Sequence, residues 1–339
     1  MSAQDNGGGR TLNLSMRQVK ALLTMADCIG IQEEVFRQNG EGRAWNGPNA
    51  WVFADPELMT HPGTGKMMCG GIEPDWWGMK LLGTRDGGPD DRNRMQLLAL
   101  FKAETLLPVA VMEANYLGHV RTGAGAAIAS KYLARPDART IGVLGAGATA
   151  RFALLAHHAI GWPVEQVYVY SRSPRNREAY MREMSEQTGY PITALDDPEP
   201  VVRKAEILIT GTASTKPAFE AGWVRPGTHV NAMGQRQEID PQLFLRARNV
   251  ADEIPIATTD GKLSVAIALG VIGPEAAHAG LGEVVAGRKP GRESDDQITL
   301  FDSSGLAVQD IAAGVHVWKL ATERGIGSPV EFNHDDALW

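Results

Sequence analysis

Residues 140–150 read "TIGVLGAGATA", and the reading of this stretch decides the fold. An apolar run from Thr140 to Leu144 ends in Gly145 and Gly147, with Ala150 just beyond. The run has the composition of a buried strand. After it, Phe152, Leu155, Ala156 and Ala159 fall on one side of a helix expected over about 147–160. A glycine triplet by itself also serves ordinary turns. Placed between strand and helix, Gly145 makes the tight turn, Gly147 lets the backbone approach a pyrophosphate, and Ala150 permits close helix–strand packing. The helix N-terminus adds free N–H groups and partial positive charge. Gly145, Ala146, Gly147, Ala148, Thr149 and Ala150 are therefore expected to cradle a dinucleotide.

Downstream the pattern alternates. "VEQVYVYS" reads as a strand and "PRNREAYMREMSEQTG" as a helix, and "AEILITGT" and "GTHVNAMG" supply later strands. Such alternation predicts a parallel sheet with helices on both faces, the Rossmann-type doubly wound α/β fold. The second strand ends in "YSRSPRNR", where Ser171, Arg172, Ser173 and Arg175 offer hydroxyls and guanidinium groups and no carboxylate. Glu165 precedes the strand and so lies at its wrong end for a ribose 2′-hydroxyl. This favours NADP(H), with Arg172 as main 2′-phosphate ligand. NAD(H) remains possible, and a solvated basic loop is the plainer alternative.

Upstream, Ser15 and Gln18 form a capping box for a helix starting near Met16. A second helical piece runs from about Ala26 to Gln38, ended by Asn39 and Gly40. "GKMMC" and "WWGMKLLG" read as strands, and Leu97–Lys102 with Val109–Glu113 as a hairpin. The alanine-rich "RTGAGAAIASKYLA" reads as a helix opened by Arg121. Val308, Ile311, Ala312 and Val315 share one face of a final helix that returns to the first domain.

A length of 339 residues favours two domains. They are expected as a flexible tail over 1–11, an α+β substrate-binding and dimerisation domain over 12–125 plus 306–339, and an inserted dinucleotide-binding domain over 126–305. A net charge of -7 argues against general affinity for nucleic acid or anionic membrane. No apolar stretch approaches the roughly 20 residues of a membrane span. The first residues, "MSAQDNGGGR", lack the apolar core of a signal peptide. Cys28 and Cys69 are too few for a disulfide framework, so a cytoplasmic setting is expected, and no metal constellation is evident.

"RTGAGAAIASKYLA", "IGVLGAGATA" and "GRESDDQITLFDSSGLAVQDIAAG" together resemble the ornithine cyclodeaminase/mu-crystallin family, over about residues 12 to 325. The resemblance implies a homodimer formed through the substrate-domain sheet. It also implies an enzyme among amino-acid dehydrogenases, imine reductases, cyclodeaminases and NAD-coupled synthases. By the resemblance Lys80 in "WGMKLLG" is an active-site lysine, and Arg121 binds a substrate carboxylate. Thr122 and Gly123 would approach the cofactor phosphates. Thr212, Ala213, Ser214, Met233 and Ser303, with Ser304, would flank its ribose and nicotinamide.

Two departures stand out. "NAMGQRQEID" carries Gln235 and Arg236 where cyclodeaminases of the family place an aspartate, and Glu238 and Asp240 read as helix caps. Phe53 occupies the place of an additional substrate-binding arginine, for which Arg43, His61 or Lys66 are candidate substitutes.

The chemistry that suits these residues is hydride transfer at a carbon–nitrogen bond. Lys80 would fix a carboxylate or help deliver a proton, and Arg121 would grip the carboxylate bidentately. His119 is the histidine to consider in acid–base work, with a structural role as its alternative. The expected substrates are a small ketimine, 2-imino acid, keto acid or amino acid. A cyclodeaminase, a synthase and a non-catalytic NADPH-binding protein are the competing readings.

Overall fold

The computed structural model describes residues 10–53, 63–85 and 94–331. His61 and most of the expected N-terminal tail lie outside them. Thr11, expected in that tail, already belongs to a strand.

Contacts divide the chain into two units, one of residues 1–24, 43–118 and 307–339, the other of 25–42 and 119–306. The first unit is built on an eight-stranded sheet. Its strands are β1 (Arg10–Leu14), β2 (Ala44–Asn46), β3 (Ala50–Phe53), β4 (Gly63–Ile72), β5 (Trp76–Arg85), β6 (Arg94–Lys102), β7 (Pro108–Glu113) and β16 (Ser328–Glu331). The order is β16-β1-β7-β6-β5-β4-β2, with β3 also on β4. The expected β6–β7 hairpin is antiparallel with Leu98 opposite Met112. Helix α1 (Met16–Leu22) carries the expected Ser15–Gln18 capping box.

Strand periodicity sorts the residues of β4, β5 and β6 onto two faces. Met68, Lys80, Leu98 and Leu100 are buried, whereas Met67, Met79, Leu81 and Met95 are exposed. Helix α10 (Ala307–Arg324) packs on β4, β5 and β6. Gly314 makes the packing possible, because a Cβ there would meet a Leu98 methyl at 2.5 Å. Trp76 and Trp77 divide between the faces. Trp76 packs edge-on against Trp318, and Trp77 stacks on Phe101 at 4.0 Å.

The second unit carries a parallel sheet in the order β10-β9-β8-β11-β12-β15-β13-β14. The strands are β8 (Thr140–Leu144), β9 (Gln166–Tyr170), β10 (Ile192–Leu195), β11 (Ile207–Thr210), β12 (His229–Ala232), β13 (Ala247–Ala251), β14 (Ala277–Gly280) and β15 (Ile298–Asp302). All seven pairings are parallel, which completes the doubly wound architecture. Strand order reverses between β8 and β11, the switch point at which such sheets bind ligands.

Helix α2 (Met25–Glu41) falls in the second unit, although its sequence position suggested the first. Its packing explains the difference. It lies against α9 (Leu281–Val285), where a Cβ on Gly40 would meet the Gly282 carbonyl oxygen at 2.0 Å. Helix α4 (Ala148–Ala159) buries Ala150, Ala153, Leu154, Ala156 and His157. The expected inner side is therefore rotated: Phe152 and Leu155 are half-buried and Ala159 is exposed. The helix must turn His157 inward because its ring is hydrogen-bonded at both nitrogens. Nδ1 donates to the Ala153 carbonyl at 2.7 Å, so Nε2 accepts from Ser130 Oγ at 2.8 Å.

Candidate active site

The turn after β8 is constrained where the sequence said it would be. Gly145 has φ +101°, and a Cβ there would lie 2.5 Å from the carbonyl oxygen of Gly211, at the end of β11. No other residue type fits that backbone without strain. Gly147 is the N-cap of α4, and open space surrounds the position where its Cβ would be. The first N–H groups of α4, from Ala148, Thr149 and Ala150, have no partner within the helix. Ala150 is fully buried and touches Gly211. Arg151 ties the turn down, with its guanidinium on the Ala146 carbonyl and on Glu183. A backbone cradle with no Cβ over it fits a pyrophosphate, so these residues can hold a dinucleotide.

At the end of β9, Ser173 caps α5 (Pro174–Thr188), its Oγ accepting from Asn176 N at 3.3 Å. Ser171 is half-buried, and its carbonyl accepts from Arg177 at 3.3 Å. Arg172 and Arg175 are exposed.

The loops after β11, β12 and β15 complete the carboxyl edge of the sheet. Ala213 is exposed, Met233 is buried, and Ser303 is half-buried with its N–H on the Ala232 carbonyl. Ser214 Oγ donates to the Lys216 carbonyl at 2.6 Å. Thr212 is held by Glu238, which sequence reasoning had made a helix cap. Glu238 is instead fully buried and accepts from Thr210 Oγ1, Thr212 N, Thr212 Oγ1 and Gly234 N at 2.6–2.9 Å. Asp240 does cap, accepting from Gln242 N at 3.0 Å. Arg236 pairs with Asp260 at 3.2 Å.

Helix α3 (Asn115–Leu133) begins two turns earlier than expected, so Arg121 lies inside it rather than at its start. Arg121 is buried, and its guanidinium rests against Gly305, where a Cβ would come within 3.0 Å. Gly123 serves helix packing, since a Cβ there would meet the Phe152 carbonyl oxygen at 2.3 Å. Thr122 beside it is half-buried. His119 stacks on the Phe152 ring at 5.6 Å.

In the first unit, Lys80 does not snorkel to solvent. It is 3% exposed, and its Nζ donates to Asp310 Oδ1 at 2.8 Å. Asp310, fully buried on α10, was missed in the sequence. Its signal was a carboxylate within the small-residue stripe Ala307–Gly314. Gly118, on the first turns of α3, lies over this pair: a Cβ there would meet Lys80 Nζ at 3.3 Å and Gln96 Oε1 at 2.7 Å.

The open question of the early-strand arginine narrows. Arg43 is exposed, and His61 lies outside the described residues. Lys66 is buried on the Lys80 face of β4, with its Nζ 5.1 Å from the Trp51 ring centroid. Among the described residues no group of acidic, histidine and cysteine side chains could hold a metal. No helix among them is long and apolar enough to cross a membrane.

The model of the ornithine cyclodeaminase/mu-crystallin family matches residues 10–325. The chain is 36% identical to the alanine dehydrogenase of Archaeoglobus fulgidus over 329 residues, covering 95% of this chain and 98% of that one. An archaeal alanine dehydrogenase dimer with bound NAD superposes with a TM-score of 0.88 at 34% identity, covering 96% of this chain and all of that one. The Δ1-pyrroline-2-carboxylate reductase of Thermococcus litoralis, in complex with NADH and L-proline, gives 0.87 at 30% identity, covering 94% of this chain and all of that one. The chain belongs to the ornithine cyclodeaminase/mu-crystallin family. It is a nicotinamide-dependent oxidoreductase of that family.

Proposed function

We propose that this enzyme reduces a small 2-imino acid or cyclic ketimine to the amino acid, or runs the reverse reaction, with NADP(H) preferred over NAD(H). The observation that carries the reading is the buried Lys80–Asp310 pair on an apolar sheet face. A lysine ammonium fixed by a carboxylate, away from water, is suited to holding an anion and a proton at one place. The bound cofactor supplies a hydride to the iminium carbon. Lys80 and Arg121 are assigned to the substrate. Arg121 grips the carboxylate through its planar fork, and the Lys80 ammonium, which can only donate, steadies the carboxylate. The nitrogen keeps its proton while the carbon gains the hydride, so the product is the amine. His119, stacked on Phe152, is left a structural part by this scheme.

Deaminating cyclisation is supported less well. It needs an acid able to act on the substrate amine, and the 233–240 segment offers Glu238, engaged by four donors, and Asp240, engaged as a cap. The NADP(H) preference rests on exposed Arg172 and Arg175 at the end of β9. The exposed Met67, Met79, Leu81 and Met95 form the face through which we expect a homodimer, in line with the dimeric archaeal relative. Cofactor oxidation with Δ1-pyrroline-2-carboxylate and with 2-keto acids plus amines tests the reading. Consumption of NADPH is expected, and a protein that binds NADPH yet reduces no imine contradicts it.

A further inference from the structure

The "FDSSG" turn after β15 is held from below by two buried carboxylates. Asp252, directly after β13, is fully buried, and its Oδ2 accepts from Ser304 N at 2.6 Å and Gly305 N at 2.5 Å. Asp302, at the end of β15, accepts from Leu263 N at 2.8 Å and lies 3.6 Å from Lys262 Nζ. Lys262 also donates to the Ser303 carbonyl at 2.8 Å. Gly305 has φ +80° and lies against the Arg121 guanidinium. The second oxygen of Asp252, Oδ1, is buried without a hydrogen-bond partner among the described residues.

A buried carboxylate with an orphan oxygen costs stability unless something else requires it. Here the requirement is Arg121, whose charge acts on Asp252 through the turn. We propose that Asp252 is the positioning residue that fixes the Ser303–Gly305 turn beneath Arg121 and thereby sets that arginine's grip on an anionic substrate. The proposal rests on the reading of Arg121 as the carboxylate ligand. Burial, with a smaller push from Asp302, raises the Asp252 carboxyl to about 6. The Gly305 and Ser304 N–H groups and the Arg121 charge work in the opposite direction. Arg121, Asp302 and, through Asp302, Lys262 are the charged groups that face it. Protonation of Asp252 weakens the two charge-assisted N–H bonds that hold Ser304 and Gly305 against Arg121, so the arginine's seat loosens and anion binding weakens as pH falls past about 6.

The test uses tetrahydrofuran-2-carboxylate, a competitive probe with no titrating nitrogen, on the full chain with NADPH. In Asp252→Asn the inhibition constant should weaken at least about tenfold, while the NADPH dissociation constant stays within about twofold. The melting temperature should be no lower, because a desolvated charge has been removed. In the unmodified enzyme the inhibition constant should rise below about pH 6, and this break should vanish in Asp252→Asn. The pH series on the unmodified enzyme stands even if the variant does not fold. A flat series from about pH 7 to about pH 5, or a variant that binds the probe like the parent, overturns the proposal. Arg121→Lys separates the two ideas. If it leaves probe binding unchanged, the carboxylate reading of Arg121 fails; if it weakens binding while Asp252→Asn does not, the role of Asp252 alone fails.

Discussion

The turn after β8 and the Lys80 face of the first sheet are the two places where we propose that an anion is held, and they are made of different material. The cradle is backbone from six consecutive residues, so its chemistry follows from what Gly145 and Gly147 lack. The Lys80 face is side chains, and its partner Asp310 lies 230 residues further along the chain. A site made of backbone is robust to the identity of its neighbours and intolerant of an added Cβ. A site made of a buried ion pair fails when one charge is removed.

The sharpest break of that comparison is Asp310→Ala. It leaves the Lys80 ammonium buried without its carboxylate, which should cost about 3–5 kcal/mol in denaturant unfolding. Imine reduction should fall by on the order of a thousandfold in kcat/KM. The double variant Lys80→Met with Asp310→Leu should recover the stability and none of the activity. NADPH affinity should be unchanged in both, as isothermal titration would read.

Gly145→Ala attacks the other material. With φ +101° and a carbonyl oxygen 2.5 Å from the new methyl, it should cost about 3 kcal/mol and weaken NADPH binding by more than about a hundredfold. Gly147→Ala is the sharpening control. Its methyl enters open space, so stability should move by less than about 1 kcal/mol while NADPH binding weakens about tenfold.

Acid acts on the second unit by a different route. Burial lowers the pKa of His157 to about 4 and of His229 to about 3, so both are neutral when folded at pH 7. Between the unfolded value near 6.5 and those values, the unfolded chain binds more protons. Stability is therefore lost as pH falls through that window, by on the order of 3 kcal/mol per histidine. Asp252, with its raised value, has the opposite sign and offsets part of the loss. Thermal melts from pH 7 to about pH 4.5 should show the decline, and His157→Gln should flatten it.

The smallest expected effect is Arg172→Asp at the end of β9. It should move the NADPH/NADH preference by about tenfold to a hundredfold in kcat/KM, with no change in melting temperature. Unchanged preference would leave Arg172 as a solvated surface residue.

The sequence was legible where a feature is local. The turn at 145–150, the cap at Ser15, the cap at Asp240 and the alternation of strands and helices each lie within a few residues of their cause. Lys80 and Arg121 were picked out by the family resemblance, and both are buried. What could not be read was pairing over distance. Nothing near Lys80 points to Asp310, and nothing near Glu238 says that its four donors lie on the ends of β11 and β12. The inner side of α4 was misjudged for a related reason. A hydrophobicity pattern favours Leu155 over His157, but Ser130 supplies the partner that lets the histidine turn inward.

The central claim, that a nicotinamide held at the Gly145–Ala150 turn delivers a hydride to an imine carbon, is tested most directly by isotope transfer. The enzyme is given NADPH deuterated at C4 on its reactive face, with Δ1-pyrroline-2-carboxylate, and the product is read by mass spectrometry. The account predicts proline carrying one deuterium at C2. Proline formed without deuterium from either face of the ring, or cofactor bound and no proline formed from any imine offered, contradicts it.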